Sequence, residues 1–191
     1  MTSQWSAADE GRHDAGAGIE EWSFGFDGGD VRGQVVLALA VAVGRASFLF
    51  DGQVGAHGRI VVADEAVPLP RPTAGLEIRA DGLWASLLCE TAFEHWSLGL
   101  EAFGLRLDDE AVGDDPPAWA DLVGERLPVG FDLEWELRGP PEPLGDGRGY
   151  RQAGTMFGEL LVVRDRIEVD APCTREHAWG SGTNRGLASR G

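Results

Sequence analysis

Apolar residues in this chain recur at every second position, in short runs cut by Gly, Asp and Pro. Phe131, Leu133, Trp135 and Leu137 alternate with Asp132, Glu134 and Glu136, and Trp22, Phe24 and Phe26 alternate with Ser23 and Gly25. Leu76, Ile78 and Ala80 alternate with Glu77 and Arg79, and Trp96, Leu98 and Leu100 alternate ahead of Phe103, Leu105 and Leu107. A period of two places each set on one face of a half-buried strand. Helical spacing is almost absent. Turn signals punctuate the runs at Asp27-Gly28-Gly29-Asp30, Asp51-Gly52 and Asp81-Gly82. Pro68, Pro70 and Pro72 exclude a central strand or a helix where they stand. The Val31–Val43 run suits strand or helix by its period; Gly33, Gly44 and the bracketing turns favour a strand. The last hairpin runs from Tyr150 to Val163 and from Arg166 to Asp170, with alternation ending at Val169. The expected fold class is therefore all-β, an antiparallel barrel or sandwich.

Three segments follow. Residues 1–18, rich in Ala, Gly, Asp and Ser, read as a disordered leader. Residues 19–180 form one β-domain, interrupted by an acidic loop at Asp108–Asp121 with one helical turn around Trp119–Val123. Residues 181–191 carry no alternation and read as an irregular tail.

Charge narrows the partners. The net charge is −16, and all 16 basic residues are arginine. So negative a surface repels nucleic-acid phosphates and anionic headgroups, and no basic stripe offsets it, so neither nucleic acid nor an acidic membrane surface is an expected partner. The longest apolar run, Val35–Val43, is too short to span a bilayer. The N-terminus has neither a basic start nor an apolar segment, which points to a cytoplasmic chain. Cys89 and Cys173 lack metal-ligand or CxxC spacing and read as small core residues in a reducing compartment. His95 and His177 lack a third ligand at recognisable spacing, so no metal and no other cofactor is expected.

Two stretches carry a resemblance. Leu76–Asp109 and Gly149–Gly180 resemble the lipocalin-like superfamily that includes the bacterial carotenoid hydratases (hydroxyneurosporene synthases). The second stretch matches that pattern at Tyr150, Gln152, Gly154, Gly158 and Arg175-Glu176-His177-Ala178-Trp179-Gly180. Glu176 stands where relatives carry aspartate. The resemblance implies a lipocalin-like barrel, the first of two tandem β-domains, and an apolar small molecule of terpenoid, lipid or polyketide type as partner. Relatives continue into a second domain, whereas this sequence runs only eleven residues past Gly180. The face that packs on that second domain would then be open to self-association.

The densest cluster of chemically useful groups is Arg175, Glu176, His177 and Trp179. Hydration of an isolated alkene needs an acid, a dry pocket and an aromatic wall for the developing cation; Glu176 and His177 are the candidate catalytic pair, Arg175 and Trp179 candidate binding residues. An ordinary structural account serves as well: Arg175 pairs with an acid, His177 bonds to backbone, and Trp179 plugs the barrel end. Glu94, His95 and Trp96 form a second candidate patch at a strand end, to which Tyr150 is added from the terminal motif. His177 is expected close to the Glu90–Trp96 segment, with Arg175–Gly180 leaving the last hairpin to cross one end of the barrel. His13 and His57 have no assigned role. Hydratase or cyclase, passive carrier, and structural half-domain all remain open on these residues.

Overall fold

The alternating runs become strands in a computed structural model that describes residues 5–13, 18–71, 75–107, 122–145 and 148–180. The strands, all antiparallel to their neighbours, are β1 (Ile19–Asp27), β2 (Val31–Ala40), β3 (Arg45–Val54), β4 (Arg59–Pro68), β5 (Leu76–Ala80) and β6 (Leu83–Thr91), followed by β7 (His95–Leu107), β8 (Gly124–Leu137), the short β9 (Glu142–Pro143), β10 (Gly149–Val162) and β11 (Asp165–Gly180). Along the sheet the order is β4-β3-β2-β1-β11-β10-β8-β7-β6-β5. β4 also pairs with β7, Ile60 opposite Arg106 and Val61 opposite Leu105, and this second pairing closes a ring. The β5–β6 hairpin branches from the other half of the same β7 edge. The fold is an all-β, barrel-like ring.

Side chains fill its interior, as expected for a ring of about eight strands. Trp22, Trp96 and Trp135 are fully buried there with Phe24, Phe50 and Leu133. Phe50 meets Phe131 edge to face with centroids 5.5 Å apart, and Phe24 meets Trp96 at 5.8 Å. Gly154 leaves room for Trp135 against β10: a Cβ there would stand 2.2 Å from the indole. A second small cluster, Val36, Leu49, Val61 and Leu107, packs apart from the main core. Among the described residues no helix is long and apolar enough to cross a membrane.

Several local expectations are corrected. The Val31–Val43 run is strand only to Ala40; Val41–Val43 make a 3-10 turn closed by Gly44, whose φ of 69° turns the chain into β3. Asp51-Gly52 lies within β3, and the reversal comes later, at Gly55–His57. Phe103–Leu107, expected as a strand separate from Trp96–Leu100, continues it as one strand, β7, and Phe103 is exposed on it with the Arg126 guanidinium 4.9 Å above its ring.

The largest correction concerns β11. Alternation does not end at Val169, and the Arg175–Gly180 stretch does not leave the sheet. Val169, Ala171, Cys173, Arg175 and His177 are all buried, with Asp170, Pro172 and Thr174 exposed between them. The strand persists because it is paired on both sides, Ile19–Phe26 along one edge and Gly149–Val162 along the other. Nor is the leader without structure: residues 5–13 fold against the barrel end, with a 3-10 turn at Ala7–Glu10. The acidic loop at Asp108–Asp121 and the tail at 181–191 lie outside the described residues.

Candidate functional site

The polar centre of the molecule starts in the N-terminal segment. The Ser6 N–H and hydroxyl both donate to Asp9, at 2.7 and 2.8 Å, closing a capping box around the 3-10 turn. The Ser6 backbone bond holds the Asp9 carboxyl below its ordinary range. The turn delivers Glu10, 4% exposed, into the mouth of the barrel. There Arg175 of β11 donates to it twice, Nη1 to Oε2 at 2.9 Å and Nη2 to Oε1 at 2.5 Å. The Tyr150 hydroxyl donates to the same carboxylate at 2.7 Å, and the Phe93 backbone N–H at 2.6 Å. Phe93 presents that N–H from the β6–β7 turn with a φ of 62°, a strained conformation for a bulky residue.

Arg175 is satisfied on its remaining sides. Gln152 Oε1 accepts from Nη2 at 2.6 Å, while its amide donates to the Phe93 and Gly139 carbonyls at 2.8 and 3.0 Å. The guanidinium carbon lies 4.7 Å from the Trp135 ring centroid, 5.2 Å from Tyr150, 5.6 Å from Trp96 and 5.9 Å from Phe93. A buried cation with a bidentate carboxylate, an amide and aromatic faces has had its lost hydration replaced.

A second set of groups adjoins the first. His177 Nε2 lies 2.9 Å from Glu20 Oε1, and His13 Nδ1 lies 2.8 Å from the same oxygen. The His13 backbone N–H reaches both Glu20 oxygens at 3.0 Å. Both rings are clamped: His177 stacks on Trp22 at 4.4 Å, and His13 on Trp179 at 3.9 Å with planes 13° apart. Burial holds the His177 imidazolium below its ordinary pKa, and the Glu20 carboxylate opposes that only in part. Burial likewise pushes the Tyr150 phenol up. Tyr150 joins the two sets, its oxygen 3.5 Å from His177 Nδ1.

Beside this centre is a cavity of about 540 Å³ whose walls include His13, Trp22, Leu76, Leu87, Cys89 and Trp96. The indole N–H groups of Trp22 and Trp96 have no acceptor among the described residues. Two wider grooves lie elsewhere. One, of about 840 Å³, is lined by polar residues including Arg32, Gln34, Asp51 and Arg59. The other, of about 590 Å³, is lined by Trp84, Phe103 and Leu161.

The expected site residues divide by parity along their strands. Arg175, His177, Tyr150, Trp96 and Trp179 come together at the mouth. Glu176 does not: it lies between them on β11, opposite Ser23 and Arg151, on the reverse side of the strand. His95 lies one position before the inward Trp96 and bonds to Glu134 at 2.6 Å, and Glu94 is exposed in the turn. The Glu90–Trp96 segment reaches the site through Phe93 and Trp96 instead. Sequence reasoning missed Glu10, His13, Glu20 and Gln152. Gln152 had a signal, an inward position two residues from Tyr150; Glu10 and His13 had none, because their partners are remote in sequence. His13 and Glu20 also supply the neighbours that His177 was expected to lack.

No family model, curated protein or solved structure matches this chain. The lipocalin-like resemblance therefore rests on the quoted motifs alone.

Proposed function

We propose that this domain binds a small, largely apolar molecule at the barrel mouth, its body against Trp22, Leu87 and Trp96 and its polar end toward Glu10 and His13. The observation that carries this reading is the mouth cavity, about 540 Å³, within the usual range for small-molecule sites. Its wall is mostly apolar, and Glu10, Arg12 and His13 supply its polar groups. The filled barrel interior argues for a ligand seated at the end rather than threaded through the ring. Arg175 is neutralised by Glu10 and does not line the cavity. Arg12, which does, donates to the Pro70 carbonyl at 3.2 Å and shares the cavity wall with Glu10, so in a strongly negative chain an uncharged ligand with a hydroxyl or carbonyl suits the site better than an anion. Terpenoid, lipid and polyketide-like molecules have that character. Binding without turnover is the reading favoured over hydration, since Glu176 stands outside the cluster and the carboxylates inside it are engaged, Glu10 by Arg175 and Glu20 by the two histidines.

The test is displacement of an uncharged solvatochromic dye, Nile red, followed through its own emission and through tryptophan quenching. Cys89→Trp, which fills the cavity, is expected to abolish binding, while Phe103→Ser in the outer apolar groove and Glu176→Gln leave it unchanged. Dye binding that survives Cys89→Trp and disappears in Phe103→Ser would move the ligand to the outer groove and overturn the proposal.

A further inference from the structure

We propose that His13, Glu20 and His177 together form a binding site for one divalent transition-metal ion at the edge of the barrel mouth. Their ligand atoms lie within 4.8 Å of one another. The geometry is specific: an imidazole nitrogen of each histidine is aimed at the same oxygen, Glu20 Oε1, at 2.8 and 2.9 Å. The His13 backbone N–H also reaches that oxygen, at 3.0 Å, so three donors crowd one acceptor. An ion bound at about 2.0–2.2 Å to each of three tetrahedral ligands separates them by roughly 3.3 Å. The two histidine–carboxylate pairs need to open by only about half an ångström to admit it, while the two imidazole nitrogens, within 4.8 Å of each other, close around it.

Four further features belong to metal sites. The donor set, two imidazoles and a carboxylate, suits zinc, iron(II) or cobalt(II), and is too poor in oxygen for calcium or magnesium. Each ring is held in place by a stacked tryptophan, Trp22 for His177 and Trp179 for His13. The second nitrogen of each ring faces an outer partner, the Tyr150 hydroxyl at 3.5 Å and the Asp9 carboxylate at 3.7 Å, the arrangement that orients metal-bound imidazoles. His13 and Trp22 also line the mouth cavity, so a fourth position facing it has room for water or a ligand oxygen. Charge points the same way. Buried Glu10 has an arginine, whereas among the described residues the Glu20 side chain bonds only to the two histidines.

The site stands independently of the apolar-ligand reading, because its test needs no organic ligand. The full chain, freed of any affinity tag and stripped with chelator, is titrated with cobalt(II) and followed by visible absorption, then back-titrated with zinc. We expect saturation at one equivalent with tetrahedral cobalt bands that zinc abolishes. His13→Ala lies on the N-terminal segment outside the barrel and is expected to weaken binding about tenfold or more. Glu20→Gln should do the same, and His95→Ala should leave binding intact. Absence of a saturable cobalt spectrum in the parent protein, or equal affinity in His13→Ala, overturns the proposal and reduces the cluster to a hydrogen-bonded network. Should Glu20→Gln fail to fold by circular dichroism, His13→Ala decides the matter alone.

Discussion

Replacing Glu10 by alanine removes one carboxylate and breaks four hydrogen bonds from three partners. Arg175 loses both bonds to its counter-ion, and the Tyr150 hydroxyl and Phe93 N–H lose their acceptor. Arg175 projects from the middle of a strand paired on both edges, 1% exposed, so it cannot turn outward to water. Breaking a buried ion pair on one side costs about 3–5 kcal/mol, mostly as the penalty for the stranded charge. Gln152 and the aromatic faces retain part of the solvation, which favours the lower end, about 3 kcal/mol. For a chain of this size that is a fall in melting temperature of roughly 6–12 °C. The partners are not equivalent. Glu10 sits on a terminal segment that can lift away into solvent, so Arg175→Met should cost less than Glu10→Ala. The double variant Glu10→Ala/Arg175→Met should recover much of the loss, a coupling of about 2 kcal/mol. Urea unfolding followed by tryptophan emission measures all three. A Glu10→Ala cost below about 1 kcal/mol, or strict additivity in the double variant, would refute the docking of residues 5–13 onto Arg175.

Two further outcomes follow from the core. Gly154→Ala places a methyl 2.2 Å from the Trp135 ring and 2.5 Å from the Glu136 carbonyl, so it should cost about 1–3 kcal/mol in urea unfolding and shift the tryptophan emission. Burial pushes the Cys173 thiol up to about 12, and Arg175 offsets this only in part. Because the folded value is raised, its contribution is complete below the unfolded value, near 9, and is lost as pH rises from there through the folded value. Stability should therefore decline above pH 9 by at most about 1.4 kcal/mol per pH unit from this group, with Cys173→Ala flattening the profile; a parent protein and variant with identical alkaline profiles would contradict it.

The ring was legible wherever inward positions are apolar. Phe131–Trp135 and Trp22–Phe26 could be placed on strands with their buried faces assigned, because period-two alternation is what a half-buried strand requires; Leu137, expected on the same face, is exposed at the strand end. The same rule failed on β11. Its inward series continues through Arg175 and His177, and polar residues at inward positions look like the end of a strand. Parity still holds the information: counting by twos from Val169 reaches both residues and rejects Glu176. For the N-terminal segment no such count exists. The capping residues Ser6 and Asp9 are visible, but the destination of Glu10 depends on a cavity assembled from β10 and β11. A charged residue in a polar leader gives no hint that it will be buried.

The span between partners sets the order in which the molecule can be completed. Glu10 meets Arg175 across 165 positions and Glu20 meets His177 across 157. During synthesis β1 emerges early but its β11 edge must wait until almost the whole domain has left the ribosome. Until then its carboxylates remain in water, and the early strands expose an open edge to neighbours. Contacts so remote in sequence make for slow closure, and the polar cluster is among the last features to assemble. Occupancy of the mouth thus reports a finished ring: a nascent or half-opened chain keeps most of its hairpins and lacks the site altogether.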